Sequence, residues 1–171
     1  MIPQKYHPLL RAIHWIMAVM IGTILVLGFV MVEFKDSEPW VLYEWHKSLG
    51  VLVFGLVLWR LWVRWTSVVP PLPATISIVN HIIAHIVAGL LYLCMLVMPL
   101  SGYAVSNMNG YGVKFFGYKL PTLFAKNPEL AQIAEQVHTY TAYALLALLS
   151  LHILGVILHH IQGEEILRRI T

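Results

Sequence analysis

Residues 138–152 read HTYTAYALLALLSLH, a charge-free apolar run with a histidine at each end. At 3.6 residues and 5.4 Å per turn, an offset of 14 falls about 40° short of four full turns and spans roughly 21 Å along the axis. His138 and His152 therefore share one helix face at two depths. Ionisable groups inside so apolar a segment cost several kcal/mol unless paired or liganded, so both positions ask for partners.

Working outward, the chain of 171 residues is 59% hydrophobic and only 11% charged, far from a soluble domain. A hydrocarbon core of roughly 30 Å takes about 20 apolar residues per helix, so the length holds four spans in one domain. Apolar runs cover about residues 9–32, 46–65, 81–103 and 138–161. They predict an all-α integral membrane four-helix bundle, up-down-up-down, in a single transmembrane domain over 1–171. No cleavable leader is expected, because Pro3 and Pro8 interrupt the start and the first apolar run is longer than a signal core. The segment Glu33 to Glu44 carries four acids and one lysine, whereas Pro70, Pro71 and Pro73 follow Arg60 and Arg64 with no acid nearby. All five arginines (11, 60, 64, 168, 169) fall on the N-terminal side, which predicts cytoplasmic N- and C-termini. Ala104 to Val137 is too long for a tight turn, and Pro128 to Gln136 is expected as a short helix on the outer surface. All six tryptophans lie near span ends, as an interfacial belt requires. Cys94 is the single cysteine and reads as core, which excludes a disulfide framework.

Nine histidines are too many for so apolar a chain to owe to composition alone. His14 enters the first span from inside and His46 opens the second from outside. In an antiparallel bundle, His14 matches the depth of His152 near the inner surface, and His46 that of His138 near the outer one. A low-spin haem iron takes two axial ligands, and imidazoles from facing helices hold it in a bundle core. Two pairs predict two stacked haems, His14/His152 and His46/His138. Gly22, Gly50, Ala142 and Gly155 stand near these histidines and leave room for a flat ring. Zinc or copper also takes histidines, but pairs rather than triads recur here. Taken singly, a membrane histidine is more often a packing or interfacial residue.

Arg11-x-x-His14-Trp15, His46-Lys47-Ser48-x-Gly50, Arg60-x-x-x-Arg64, Pro99-x-x-Gly102 and the tail with His138, His152, His159-His160 and Leu167-Arg168-Arg169 resemble the prokaryotic cytochrome b561 family over nearly the whole chain. The resemblance implies two haems b ligated by His14, His46, His138 and His152, in the bacterial inner membrane. Its short stand-alone form implies an oxidoreductase that takes electrons from superoxide and gives them to ubiquinone. Other members of the family are cytochrome subunits that dock a hydrogenase or dehydrogenase and reduce quinone, which is the alternative function. This chain departs from the family in its third span, where Ala88 stands four residues before Tyr92 and the histidines are His81 and His85.

Further residues follow from the chemistry such a protein needs. Lys47, next to His46, with Lys114 and Lys119 on the outer loop, would raise the encounter rate of a small anion. His159, seven residues beyond His152, with His160 and Arg168 nearby, would hydrogen-bond a quinone carbonyl or a haem propionate. Arg60 and Arg64 suit propionates, because Arg forks bind carboxylates. The bland alternatives are solvated lysines and side chains snorkelling to headgroups. Expected partners are membrane lipid, ubiquinone, superoxide and a redox partner protein, with no nucleic acid. A histidine-using metal transporter is the reading from a different class.

Overall fold

The computed structural model describes residues 5–34, 40–71 and 76–171. Four helices carry the fold: α1 (Pro8–Glu33), α2 (Trp40–Thr66), α3 (Ile78–Met108) and α4 (Pro128–Ile161), each long and apolar enough to cross a membrane. In hydrocarbon every backbone N–H and C=O must be satisfied within the element, which an α-helix does. The starts are set locally. Pro8 and Pro128 occupy the first turns of α1 and α4, where no N–H is required. Asn127 caps α4 by accepting from the Glu129 and Leu130 amides at 3.1 Å.

That cap corrects one expectation. Pro128 to Gln136 is not a separate surface helix but the opening of α4, which runs unbroken for 34 residues. Nothing between Gln136 and His138 stops a helix once Asn127 and Pro128 have started one. Likewise α2 begins at Trp40, six residues before the apolar run proper, and α3 continues past Gly102 to Met108. The extra turns lie in the interfacial region, where Trp40 and Trp45 are exposed. The acid-rich connection falls mostly on 35–39 and Pro73 on 72–75, outside the described residues.

The core is thin. Leu10, Ile13, Met17, Ile21 and Leu25 form one stripe of α1 against Val53, Val57 and Val63 of α2, Leu91 and Cys94 of α3, and Leu145 of α4. Most other large apolar side chains point outward, as lipid allows. The principal seams are α3/α4, α1/α2 and α2/α3, and no extended seam joins α1 to α4.

Each end of the bundle is closed by a fastened segment. At the N-terminal face a 3₁₀ turn, Leu167–Arg169, tucks beneath the helices. Arg169, only 2% exposed, donates to the Pro70 and Pro71 carbonyls at 2.6 and 2.9 Å and stacks 5.3 Å from the Tyr6 ring centroid. At the opposite, loop face, β1 (Lys114–Phe115) and β2 (Tyr118–Lys119) form a hairpin. Phe116 at φ 45° and Gly117 at φ 92° make its turn, the two left-handed positions a type I′ hairpin needs. Ser48 is buried beneath it. Its hydroxyl accepts the Phe116 N–H at 3.0 Å and lies 2.8 and 3.2 Å from the Glu44 and Lys114 carbonyls.

Candidate functional site

Two histidine pairs lie one above the other along α4. Near the N-terminal face, His14 of α1 and His152 of α4 face each other with ring centroids 6.4 Å apart and planes inclined by 63°. Near the loop face, His46 of α2 and His138 of α4 stand 6.2 Å apart at 75°. All four expected histidines are thus brought together in the expected pairs. Three helices supply them: α4 gives one member of each pair, α1 and α2 give the others, and α3 gives none.

Helix α3 contributes something else. The Nδ1 of His138 lies 3.0 Å from the Met98 carbonyl and 3.1 Å from the Ser101 hydroxyl, which itself donates to Met98 O at 2.9 Å. A carbonyl only accepts, so Nδ1 carries the proton and Nε2 is left with its lone pair free. Gly102, one turn beyond Met98, lets the ring lie directly on the α3 backbone. A Cβ there would stand 2.9 Å from His138 Cε1. Gly28 of α1 plays the same part for His46, with a Cβ position 3.1 Å from that ring's Cε1. His46 Nδ1 is buried without a hydrogen bond of full geometry, facing the Ile24 carbonyl one turn before Gly28. Of these seats only Gly102 stood in a sequence motif; Gly28, Met98 and Ser101 approach through tertiary contact, which spacing does not reveal.

Helix α1 leaves a shallow open surface along the row that begins at His14. A groove of about 560 Å³ runs along α1, lined by Ala18, Gly22, Thr23, Val26 and neighbours, and Ala18, Gly22, Val26 and Val30 continue the i+4 row that begins at His14. A Cβ on Gly22 or Gly155 would meet nothing within 4 Å, while one on Gly50 would stand 3.6 Å from Ile24 Cδ1. Among the described residues no group of three or more His, Cys, Asp or Glu could hold a metal ion.

The remaining expected residues fall as follows. Arg60 is fixed by Tyr92, whose hydroxyl accepts from Nε at 2.9 Å, and by the Leu10 carbonyl at 2.8 Å; its charge reaches both His14 and His152. Arg64 is half-buried one turn further on. Lys47 is also half-buried, donating to the Gly112 carbonyl at 3.2 Å with its Nζ 5.8 Å from the Tyr111 ring centroid. Lys114 pairs with Glu44 at 2.6 Å, and Lys119 is exposed. His159 Nδ1 is hydrogen-bonded to the Glu164 carboxylate, a partner that no sequence motif marks. Arg168 pairs with Glu165. His81 and His85 sit in the first turns of α3, joined through His85 Nδ1 and the His81 carbonyl at 2.7 Å, and belong to neither pair.

The family model for prokaryotic cytochrome b561 matches residues 5–171. Cytochrome b561 homolog 2 of Escherichia coli (strain K12) is 31% identical, over 98% of this chain and 91% of its own length. A Yersinia pestis protein named "Probable superoxide oxidase CybB" is 24% identical over 92% and 89%. Cytochrome b561 homolog 1 of Escherichia coli (strain K12) is 28% identical over 79% and 78%. Four membrane-length helices and a match over nearly the entire sequence leave one assignment: the chain belongs to the prokaryotic cytochrome b561 family, bacterial membrane electron carriers that bind b haem.

Proposed function

We propose that this chain holds two b haems, one between His14 and His152 and one between His46 and His138, and carries electrons from superoxide at the loop face to a quinone at the N-terminal face. The observation that carries the reading is the repetition of one imidazole spacing at two depths. Two imidazoles sharing one metal through bonds of about 2 Å place their ring centroids roughly 6.3 Å apart. The pairs stand at 6.4 and 6.2 Å. The donor chemistry fits as well: two histidines and, among the described residues, no third ligand at each site, a tautomer of His138 that leaves Nε2 free, and glycines where a planar ring needs room. When bound, the haems supply the one-electron chemistry; the protein orients them and sets their surroundings.

The side chains then have separate tasks. Arg60, held by Tyr92 and the Leu10 carbonyl, directs a positive charge at the inner pair and suits a propionate, with Arg64 one turn away. Superoxide is an anion, and Lys47, Lys119 and the Glu44-paired Lys114 are the loop-face cations placed to attract it. His159 serves the quinone at the inner end of α4. In this orientation the termini face the cytoplasm and the loop face the outside of the inner membrane. The relative named as a superoxide oxidase supports the choice of donor.

The deciding experiment is stopped-flow mixing of the purified oxidised protein with superoxide, with and without a ubiquinone analogue. Haem reduction that outruns spontaneous dismutation, followed by re-oxidation on adding quinone, is expected. Sluggish reduction by superoxide would reject this reading and favour a relay subunit fed by a dehydrogenase or hydrogenase.

A second expectation concerns steering. Replacing Lys47, Lys114 and Lys119 together by Gln should slow the superoxide reaction by roughly tenfold at low ionic strength and flatten its salt dependence. Because Lys47 and Lys114 also fasten the loop and hairpin, Lys119→Gln alone is the control that leaves those contacts intact. An unchanged salt dependence in the triple variant would remove steering from the mechanism.

A further inference from the structure

Helix α4 ends in a Schellman turn. Gly163, at φ 80°, donates to the His160 carbonyl at 3.1 Å, and Glu164 donates to the His159 carbonyl at 2.9 Å. In such turns the residue after the glycine usually packs an apolar side chain against the helix position five before it. Here that place holds Glu164 against His159, carboxylate to Nδ1, with the two side chains only 17% and 18% exposed. An apolar pair would close the turn without desolvating ionisable groups, which is unfavourable. Capping alone therefore does not account for the choice of residues. The pair is also well placed. His159 is seven residues beyond His152, about 20° from the same helix face and roughly 10.5 Å further along the axis.

We propose that Glu164 and His159 form the proton-delivery dyad for quinone reduction at the N-terminal face, with Glu164 as the positioning residue. This rests on the quinone reading above. Reduction consumes two electrons and two protons per quinone, the electrons arriving from two superoxide ions that leave as dioxygen. Glu164 accepts the Nδ1–H of His159, which fixes the tautomer and leaves Nε2 to bind a proton from the aqueous side. The resulting imidazolium is balanced by the Glu164 carboxylate. Nε2 passes that proton to a quinone oxygen, the N–H bond breaking as the O–H bond forms, and is reprotonated for the second transfer. An imidazole without its carboxylate does not keep this orientation.

The test uses the full-length holoprotein, chemically pre-reduced so that superoxide is not needed, mixed with a ubiquinone analogue or with ferricyanide, which takes an electron but no proton. Glu164→Leu restores the ordinary apolar closure of the turn, and Glu164→Gln keeps the shape without the charge. For both, kcat with the quinone is expected to fall by roughly 10- to 100-fold, with KM little changed and an increased solvent deuterium isotope effect. Ferricyanide oxidation and the haem spectrum should stay as in the wild type. Wild-type quinone kinetics in both variants would overturn the dyad, as would an equal loss with both acceptors, since that marks a structural defect. If the wild-type protein itself fails to re-oxidise with quinone, it is the proposed function that falls, and the dyad with it.

Discussion

Alanine at His46 or His138 is expected to abolish one haem and spare the other, and alanine at His14 or His152 to do the converse. The four variants should thus fall into two classes, each with half the wild-type haem content by haemochrome assay. The pairing follows from the geometry: the members of each pair face one another at 6.2 or 6.4 Å, while the pairs are 14 residues apart along α4, roughly 21 Å. Removing one imidazole leaves the partner a buried polar group with nothing to bind, a penalty of about 1–3 kcal/mol before the lost metal bond is counted. Apolar contacts across the α1/α2 and α3/α4 seams do not depend on these rings, so the bundle should survive truncation. A function follows too. In the His46 and His138 variants superoxide should no longer reduce the remaining haem quickly, whereas in the His14 and His152 variants superoxide reduction should persist and delivery to quinone fail. Loss of both haems from every single variant, or equal effects on both half-reactions, would break the stacked wiring.

Much of this was legible in the sequence because depth in a membrane helix is a matter of counting. The four apolar runs fix four crossings, and the entry side of each fixes the height of its histidine, so His14 had to meet His152 and His46 had to meet His138. The ends were less legible. Periodicity marks where apolar residues stop, not where a helix stops, and α4 runs back to Pro128 because Asn127 caps it there. Contacts made by small or main-chain groups left no trace. Gly28 precedes His46 by 18 residues, and nothing in its neighbourhood announces that an imidazole rests on it. Lys47 shows the opposite error of emphasis. Adjacency to His46 drew attention to it, yet consecutive helix residues diverge by about 100°, and its ammonium turns to the Gly112 carbonyl.

The glycine seats carry the second large effect, and their unequal surroundings predict an order. Gly102→Ala places a methyl group 2.9 Å from His138 Cε1, closer than real Cβ contacts come, and a tight 3.2 Å from its Nδ1. The ring cannot swing aside cheaply, because Met98 O and Ser101 Oγ hold its Nδ1 at 3.0 and 3.1 Å. Either those hydrogen bonds or the alignment of Nε2 must give way. Overpacking of this kind costs about 1–3 kcal/mol, roughly 5- to 150-fold in affinity for the loop-face haem. Gly28→Ala is milder in contact, at 3.1 Å from His46 Cε1, and His46 has no hydrogen bond of full geometry to break. Its ring is free to yield by a few tenths of an ångström, so haem should be retained with a shifted spectrum or potential. Gly55→Ala is the control, since a Cβ there meets nothing within 4 Å and alanine favours the helix. Haem titration and thermal unfolding of the three variants should therefore rank Gly102→Ala well below Gly28→Ala, with Gly55→Ala at or above wild type. Adding Ser101→Ala to Gly102→Ala should recover part of the loss, because it releases one of the two groups pinning the imidazole. Equal haem affinity in Gly102→Ala and Gly55→Ala would mean that His138 is not held against α3, and the tautomer assigned to it would lose its basis.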